Sequence, residues 1–273
     1  MKKETLLFDM DGTLSPARRP VISEFIEILP KLTSNYNVGI VTGSGLAYIK
    51  EQASFLFNGS LEEFGEVHIM PCNGTKYFTS RPSPEGSLYG QRTIEKISEV
   101  SMKEELGEEK YRLLIKSLLR MQSKFISDVK IPITGSFITD RDSMINWCPI
   151  GRDSDQKLRN LFKKKDESLD LRKAFKILME IDIKKENIPI DIALGGVTSF
   201  DIFPTGWDKT YALNHFTDIS NTYFFGDKCS EGGNDFALFE KLNGLDNKVR
   251  AWNVVSPEQT IRLLKYNFLN KIL

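Results

Sequence analysis

The sequence is poor in the residues that most readily announce a function. It has three cysteines, Cys72, Cys148 and Cys229, spread far apart over 273 residues. That spacing matches neither a zinc site nor a disulfide framework, and a reducing cytosol is the expected home. The only two histidines are His68, in a predicted strand, and His215, on a predicted helix. Both read as structural or surface residues with no part in chemistry. Charge of one sign is also missing. The 37 basic residues balance 37 acidic ones, so bulk charge gives no reason to expect nucleic acid or a membrane surface as a partner. No stretch approaches the ~18 apolar residues of a membrane span. The N-terminus lacks the apolar core and the small-residue cleavage site of a secretory signal. Internal repeats and low-complexity tracts are absent.

What is present is an ordinary globular composition, 40% hydrophobic and 27% charged, on a chain long enough for one large domain or two smaller ones. The first 80 or so residues alternate between two periodicities. Thr5–Phe8 and Val38–Thr42 are short apolar runs, as in buried strands. Ile22, Phe25, Ile26 and Leu29 follow helical spacing up to Pro30, which is expected to kink or end that helix. Leu46–Leu56 reads as the next helix. This β-α-β-α order predicts a parallel sheet with crossover helices. Asn73-Gly74, between Val67–Met70 and Lys76–Phe78, predicts a hairpin. Thr79–Gly86 reads as a linker. A charged helix follows, with Leu114, Leu118, Met121 and Phe125 as its apolar stripe. Two antiparallel strands are expected around Asp142-Ser143, and a helix over Leu158–Met179. Strands at Asp191–Leu194 and Ser199–Phe203 precede a return to β-α alternation. That last part reads as a strand at Tyr223–Phe225, a helix at Asn234–Leu242, a strand at Val249–Val254 and a helix at Glu258–Leu269. The expected architecture is an α/β Rossmann-like core from residues 1–81 and 205–273, with an α+β module, 82–204, inserted between them.

The strongest chemical signal is Phe8-Asp9-Met10-Asp11-Gly12-Thr13. It lies at the carboxyl end of the first predicted strand, where ligands bind in open α/β sheets. Two carboxylates one residue apart can converge on a phosphoryl group, one as nucleophile and one as proton carrier. Their mutual repulsion is relieved by a divalent cation, which also neutralises phosphate. Gly12 permits a tight turn. Gly226-Asp227-Lys228, with Gly232-Gly233-Asn234-Asp235, ends another predicted strand and can supply further hard oxygen ligands for Mg²⁺. Asp235 is expected to ligate directly or through water. Lys209, opening a helix after Trp207-Asp208, can neutralise the nucleophile or the transferring group. Thr42 and Ser44 end the second strand, where hydroxyl and backbone N–H groups can hold phosphate oxygens. Trp147, Trp207 and Trp252 read as packing residues.

Together, the Asp-Met-Asp-Gly-Thr run, Ser44, Lys209 and the Asp227 to Asp235 segment resemble the haloacid dehalogenase superfamily of phosphotransferases. More narrowly, the chain is similar to the eukaryotic-type phosphomannomutases of that superfamily. The segments that carry the likeness are Asn146–Arg152, Gly195–Pro204, Gly206–Lys209 and Phe224–Lys228. It is weakest over Thr79–Ser136. The resemblance implies a haloacid-dehalogenase-like core with a substrate-binding cap, and implies Asp9 as nucleophile and Asp11 as general acid/base. It further implies Arg18 as an arginine that approaches the substrate from the core, Arg141 and Arg152 as cap arginines that hold the phosphate not undergoing chemistry, and Ser199 and Asp201 on the sugar side. Asp9, the Asp11 carbonyl and Asp227 would hold Mg²⁺. Implied partners are a sugar phosphate, a hexose 1,6-bisphosphate as activator, and a second copy of the chain joined through the cap. The implied reaction interconverts mannose 6-phosphate and mannose 1-phosphate, a step that serves GDP-mannose synthesis.

Two positions depart from the family pattern. Thr134 stands where the family has a third cap arginine, which could cost roughly 1–3 kcal/mol of phosphate binding. Lys241 stands where a second cation site would need a carboxylate. A sugar-phosphate phosphatase is therefore the second expectation, and a non-catalytic sugar-phosphate-binding protein the third.

Overall fold

The computed structural model describes residues 3–58, 63–84 and 91–270. The chain divides into two compact units, Met1–Glu99 with Asp208–Leu273, and Val100–Trp207.

The first unit is built on a seven-stranded sheet. Its strands are β1 (Thr5–Phe8), β2 (Asn37–Val41), β3 (Val67–Met70), β4 (Lys76–Pro82), β5 (Arg92–Glu99), β10 (Thr222–Gly226) and β11 (Ala251–Asn253), in the order β11-β10-β1-β2-β3-β4-β5. The five strands from β11 to β3 run parallel, and β4 and β5 close the sheet antiparallel. All four residues of β1 are buried, as expected where both faces of a parallel sheet are covered. Period-two alternation assigns each side chain to a face. Leu6, Phe8 and Phe225 join one core with Phe25, Leu29 and Val38. Leu7 and Phe224 join the other with Met70, Leu238 and Leu242. Rings of Phe8, Phe225 and Trp252 stack across three strands at 5.1 and 4.8 Å between centroids.

Several local expectations are corrected. Helix α1 (Ser23–Asn35) continues through Pro30. The missing N–H removes one bond, and burial of Phe25, Leu29 and Leu32 outweighs that loss. The segment expected as one helix after β2 is two, α2 (Leu46–Gln52) and α3 (Phe55–Asn58). The start of the expected linker, Thr79–Pro82, belongs to β4, and its last two residues lie outside the described ones. Strand β5 was not foreseen, because its residues are largely exposed and heavily charged and show no period-two burial. Such charges suit an exposed edge strand. Arg92 ties β5 to the rest, donating to the carbonyls of Phe64, Gly65 and Ser80 at 2.8, 2.7 and 2.8 Å. Since β5 pairs with β4, the first unit extends to Glu99, past residue 81.

The second unit has a four-stranded antiparallel sheet of β6 (Ile138–Asp140), β7 (Ile145–Trp147), β8 (Ile190–Gly195) and β9 (Ser199–Pro204), ordered β6-β7-β9-β8. Helices α4 (Met102–Asp128), α5 (Gln156–Leu169) and α6 (Leu171–Lys185) share its core. The expected single helix over 158–179 is broken at Asp170, whose φ of 49° ends α5 and begins α6. Ile145, Trp147, Phe200 and Ile202 pack with Leu118, Phe125, Phe162 and Phe175. Alternation then puts Asn146 and Asp201, which are cross-strand partners, on the opposite face. Helix α7 (Phe236–Asn243) and helix α8 (Pro257–Leu264) complete the first unit. Among the described residues no helix is long and apolar enough to cross a membrane.

Trp147 is fully buried, stacked on Phe200 at 4.7 Å, and donates to Gln122 Oε1 at 2.7 Å. Trp147→Ala is expected to destabilise the protein by about 3–5 kcal/mol, read from urea unfolding.

Candidate active site

Strands β1 and β10 end side by side, and the chain turns there carry Asp9 and Asp227. The Asp9 amide donates to Phe225 O at 2.9 Å, which fixes the nucleophile candidate to the neighbouring strand. Gly12 has φ +85°, and a Cβ there would lie 2.7 Å from Asp227 Cγ. Only glycine therefore lets the acidic turn close against the Asp227 carboxylate. After β10 the loop folds back so that the Lys228 amide donates to Asp235 Oδ2 at 3.0 Å. A Cβ on Gly226 would meet Asp235 Cγ at 2.8 Å.

Lys209 starts a short 3₁₀ helix, Lys209–His215, capped by Asp208, whose carboxylate accepts from the Thr210 amide at 2.7 Å. The Lys209 ammonium is completely buried and bonds to both Asp9 Oδ1 and Asp235 Oδ1. Asp9, Asp227 and Asp235 each offer a carboxylate oxygen within 4.8 Å of the others. Burial pushes the Asp9 carboxyl up to about 7. The Lys209 ammonium opposes this, and the Asp235 and Asp227 charges add to it. Burial also raises Asp227. On Lys209, burial works against the charge, but the Asp235 and Asp9 carboxylates outweigh it and hold the ammonium above its ordinary range.

The cluster is one cation short. Three carboxylates surround one buried ammonium; Lys228 approaches Asp227 only at 3.7 Å. Asp227 Oδ1 is buried with no hydrogen-bond partner, a costly state for a carboxylate oxygen unless a cation satisfies it. An all-oxygen donor set with an orphaned buried acceptor fits a hard divalent ion such as Mg²⁺.

Asp11 is held apart from this cluster. Its Oδ1 accepts from the Tyr48 hydroxyl at 2.7 Å and from the Arg18 amide at 2.9 Å. Both hydrogen bonds fall on Oδ1. Arg18 has a left-handed φ of 59° and an exposed side chain. Ser44 lies just past β2, its amide donating to Thr42 Oγ1 at 3.1 Å and its carbonyl accepting from the Cys72 amide at 3.0 Å.

The second unit gathers the other expected residues on the sheet face opposite its helices. Asn146 Nδ2 donates to Asp201 Oδ1 at 2.7 Å, and Arg152 Nη1 donates to Asn146 Oδ1 at 2.9 Å. Arg141 Nη1 lies 3.5 Å from Asp201 Oδ1. The row Arg152, Asn146, Asp201, Arg141 thus carries two guanidiniums and one carboxylate. Ser199 Oγ donates to Gly195 O at 2.9 Å. Thr134 uses its hydroxyl on Ile150 O at 3.2 Å.

Comparison with known proteins decides the family. The family model described as eukaryotic phosphomannomutase matches residues 25–270. The chain belongs to the eukaryotic phosphomannomutase family. The phosphomannomutase of Dendrobium officinale is 34% identical over 97% of this chain and 94% of its own length. That of Schizosaccharomyces pombe is 34% identical over 97% of this chain and 95% of its own. Among solved structures, N-terminally truncated IMP-nucleotidase of Plasmodium falciparum covers 97% of this chain and 70% of its own at a TM-score of 0.62 and 15% identity. At that identity the likeness concerns the fold, that of haloacid dehalogenase enzymes with cap domains.

Within this phosphomannomutase-family chain, Asp9, Lys209, Asp227 and Asp235 come together, whereas the Asp11 carboxylate faces Tyr48. Three contacting residues were not read from sequence. Tyr48 is 37 positions from the carboxylate it holds. Asn146 stands in the Asn146–Arg152 segment that carries the family likeness, and its bonds to Asp201 and Arg152 leave no local sign in the sequence. Arg159, buried, donates to Thr198 Oγ1 at 2.8 Å and to Arg152 O at 2.7 Å. A helical arginine among charged neighbours gives no sign of that in a sequence.

Two outcomes follow from the electrostatics. Because the folded pKa of Asp9 is raised, its stability contribution in metal-free protein is present below about pH 4 and lost as pH rises through about 7. Saturating Mg²⁺ should therefore raise the thermal unfolding midpoint more at about pH 8 than at about pH 5.5, where it must displace a proton. Lys209→Met leaves Asp9 and Asp235 facing each other without compensation. It should cost about 3–5 kcal/mol in denaturant unfolding near neutral pH, and less at about pH 5, where Asp9 takes up a proton.

Proposed function

We propose that the protein interconverts mannose 6-phosphate and mannose 1-phosphate by passing a phosphoryl group through Asp9. The observation that carries this reading is the buried Asp9, paired to Lys209 and set among Asp227 and Asp235, in a chain of the phosphomannomutase family. Asp9 attacks phosphorus and forms an aspartyl-phosphate as the bond to the sugar oxygen breaks. Asp11 gives its proton to that departing oxygen, and Tyr48 and the Arg18 amide keep its carboxylate in place for the transfer. In the return step Asp11 takes the proton of the attacking sugar hydroxyl and the phosphoryl group leaves Asp9. Lys209 neutralises the nucleophile and then the phosphoryl oxygens. Ser44 donates to those same oxygens.

Asp9, the Asp11 carbonyl and Asp227, with Asp235 beside them, would hold Mg²⁺. Bound there, Mg²⁺ supplies charge neutralisation for the transferring phosphoryl group. Arg141 and Arg152 hold the phosphate that is not reacting, with Arg18 contributing from the first unit. Asp201 and Ser199 receive sugar hydroxyls; guanidinium forks suit phosphate and carboxylates suit hydroxyls. A hexose 1,6-bisphosphate primes the enzyme, and turnover proceeds through the bisphosphate. The protein acts in a reducing cytosol, as a homodimer joined through the second unit, in the supply of GDP-mannose.

One observation favours a second reading. The Thr134 side chain is spent on Ile150 O, so a family position for a phosphate-binding arginine contributes no charge here. A weaker grip on the sugar monophosphate lets it leave after its other phosphoryl group has passed to Asp9, and water then takes that group from the aspartyl-phosphate, making a sugar-phosphate phosphatase. Product analysis by ³¹P NMR separates the two. Mannose 1-phosphate with Mg²⁺ and a trace of glucose 1,6-bisphosphate is expected to yield mannose 6-phosphate, and none with Asp9→Asn. Inorganic phosphate as the main product would establish the phosphatase. Arg152→Met should raise KM by about 10- to 100-fold with a smaller change in kcat, the cost of about 1.5–3 kcal/mol for a charged hydrogen bond.

A further inference from the structure

Both histidines of the chain, remote in sequence and without an expected role, meet around Tyr77 in the unit that carries the candidate active site. His68 Nδ1 lies 2.8 Å from the Tyr77 hydroxyl. The Tyr77 ring stacks on His215 at 4.4 Å and 28°. His215 Nε2 lies 2.6 Å from Gly74 O. A carbonyl only accepts, so His215 carries its proton on Nε2 and donates it.

The two ends of this hydrogen bond matter. His215 closes the 3₁₀ helix that Lys209 opens. Gly74 closes the turn Cys72–Gly74. The amides of that turn hold the loop after β2: Cys72 N donates to Ser44 O at 3.0 Å and Asn73 N donates to Thr42 O at 2.9 Å. The turn and the helix touch tightly, since a Cβ on Gly74, at φ +90°, would lie 2.7 Å from Ala212 Cα. One block therefore links the Lys209 ammonium to the loop of Thr42 and Ser44, and the His215 to Gly74 bond is a side-chain clasp within it. Helices of this kind are short and poorly bonded internally, so their placement depends on such outside contacts.

We infer that His215 is a positioning residue for phosphoryl transfer, clasping the Lys209 helix to the turn that carries the Thr42–Ser44 loop. It sets the spacing between the ammonium and the loop that together receive the phosphoryl group. The inference rests on the roles proposed above for Lys209 and Ser44. Loss of the clasp loosens a spacing that matters in the transition state, while the arginines of the second unit continue to bind substrate. A fall in kcat with little change in KM is the expected signature.

The test compares His215→Phe, which keeps a ring to stack on Tyr77 and removes the donor, with His215→Gln, which keeps an amide donor at the same reach. Steady-state mutase kinetics should show kcat down about tenfold or more for the Phe variant, KM within about twofold, and recovery to within about threefold for Gln. Equal kcat for Phe and wild type, or equal loss in Phe and Gln, overturns the inference. Independently of any turnover, ¹⁵N NMR of histidine-labelled wild type should show His215 protonated at Nε2. A neutral ring protonated only at Nδ1 overturns the clasp. Should the wild type fail to act on hexose phosphates, the functional proposal falls. The clasp is then read from the NMR signal and from the rate of Asp9 phosphorylation by acetyl phosphate in the same three proteins.

Discussion

The first unit depends on one interaction, the buried Lys209 ammonium between Asp9 and Asp235. An unpaired ammonium or carboxylate in this position would be prohibitively costly. Each of the three groups therefore obliges the fold to deliver the other two. Asp9 arrives on β1, Asp235 on the loop returning to β10, and Lys209 on the helix that re-enters this unit after residue 207. The chain crosses out of the unit and back, and this ionic contact joins its first and last segments. The row of rings from Phe8 through Phe225 to Trp252 locks the same strands from below by apolar burial. Strand order and site are thus specified by the same few residues.

The remaining charge imbalance gives the site its chemistry. Asp227 brings a third carboxylate whose Oδ1 has no partner, and glycine at position 12 makes room for it. A protein that needed only stability would have replaced this carboxylate with an apolar or amide group. In the function proposed, a divalent cation brings the complementary charge. Asp11, one residue from Asp9 in sequence, is kept out of the cluster by Tyr48 and the Arg18 amide. The proton transfer proposed for it is thereby separated from the charge pairing of Asp9. The second unit repeats the strategy with opposite sign: Asn146 accepts from Arg152, and Asp201 faces Arg141, on the sheet face opposite its helices.

How much of this was legible in the sequence follows from how local each signal is. β1 and β10 were readable because both are short buried runs ended by acidic turns. The hairpin turn at Asp142-Ser143 and the strands flanking it were equally plain. The β5 strand was not, because an exposed, charged edge carries no burial alternation. Nor were the breaks between α2 and α3 and at Asp170, where the apolar spacing runs on across a change of backbone conformation. Of the site, Asp9, Asp227 and Lys209 stood at strand and helix ends and were visible as motifs. Tyr48, Asn146, Arg159 and His215 were not. Each acts through a contact between segments remote in the chain, and none sits in a spacing that a local pattern can register.

If Asp9 is the group to which the phosphoryl is transferred, the new bond can be located chemically. Protein quenched in acid during turnover with a hexose 1,6-bisphosphate is reduced with borohydride, which converts an acyl phosphate to an alcohol, and its peptides are analysed by mass spectrometry. Homoserine is expected at position 9 in the peptide containing Met10 and Asp11, dependent on Mg²⁺. A reduced residue at Asp11 or Asp227, or turnover with no reducible acyl phosphate, would contradict it.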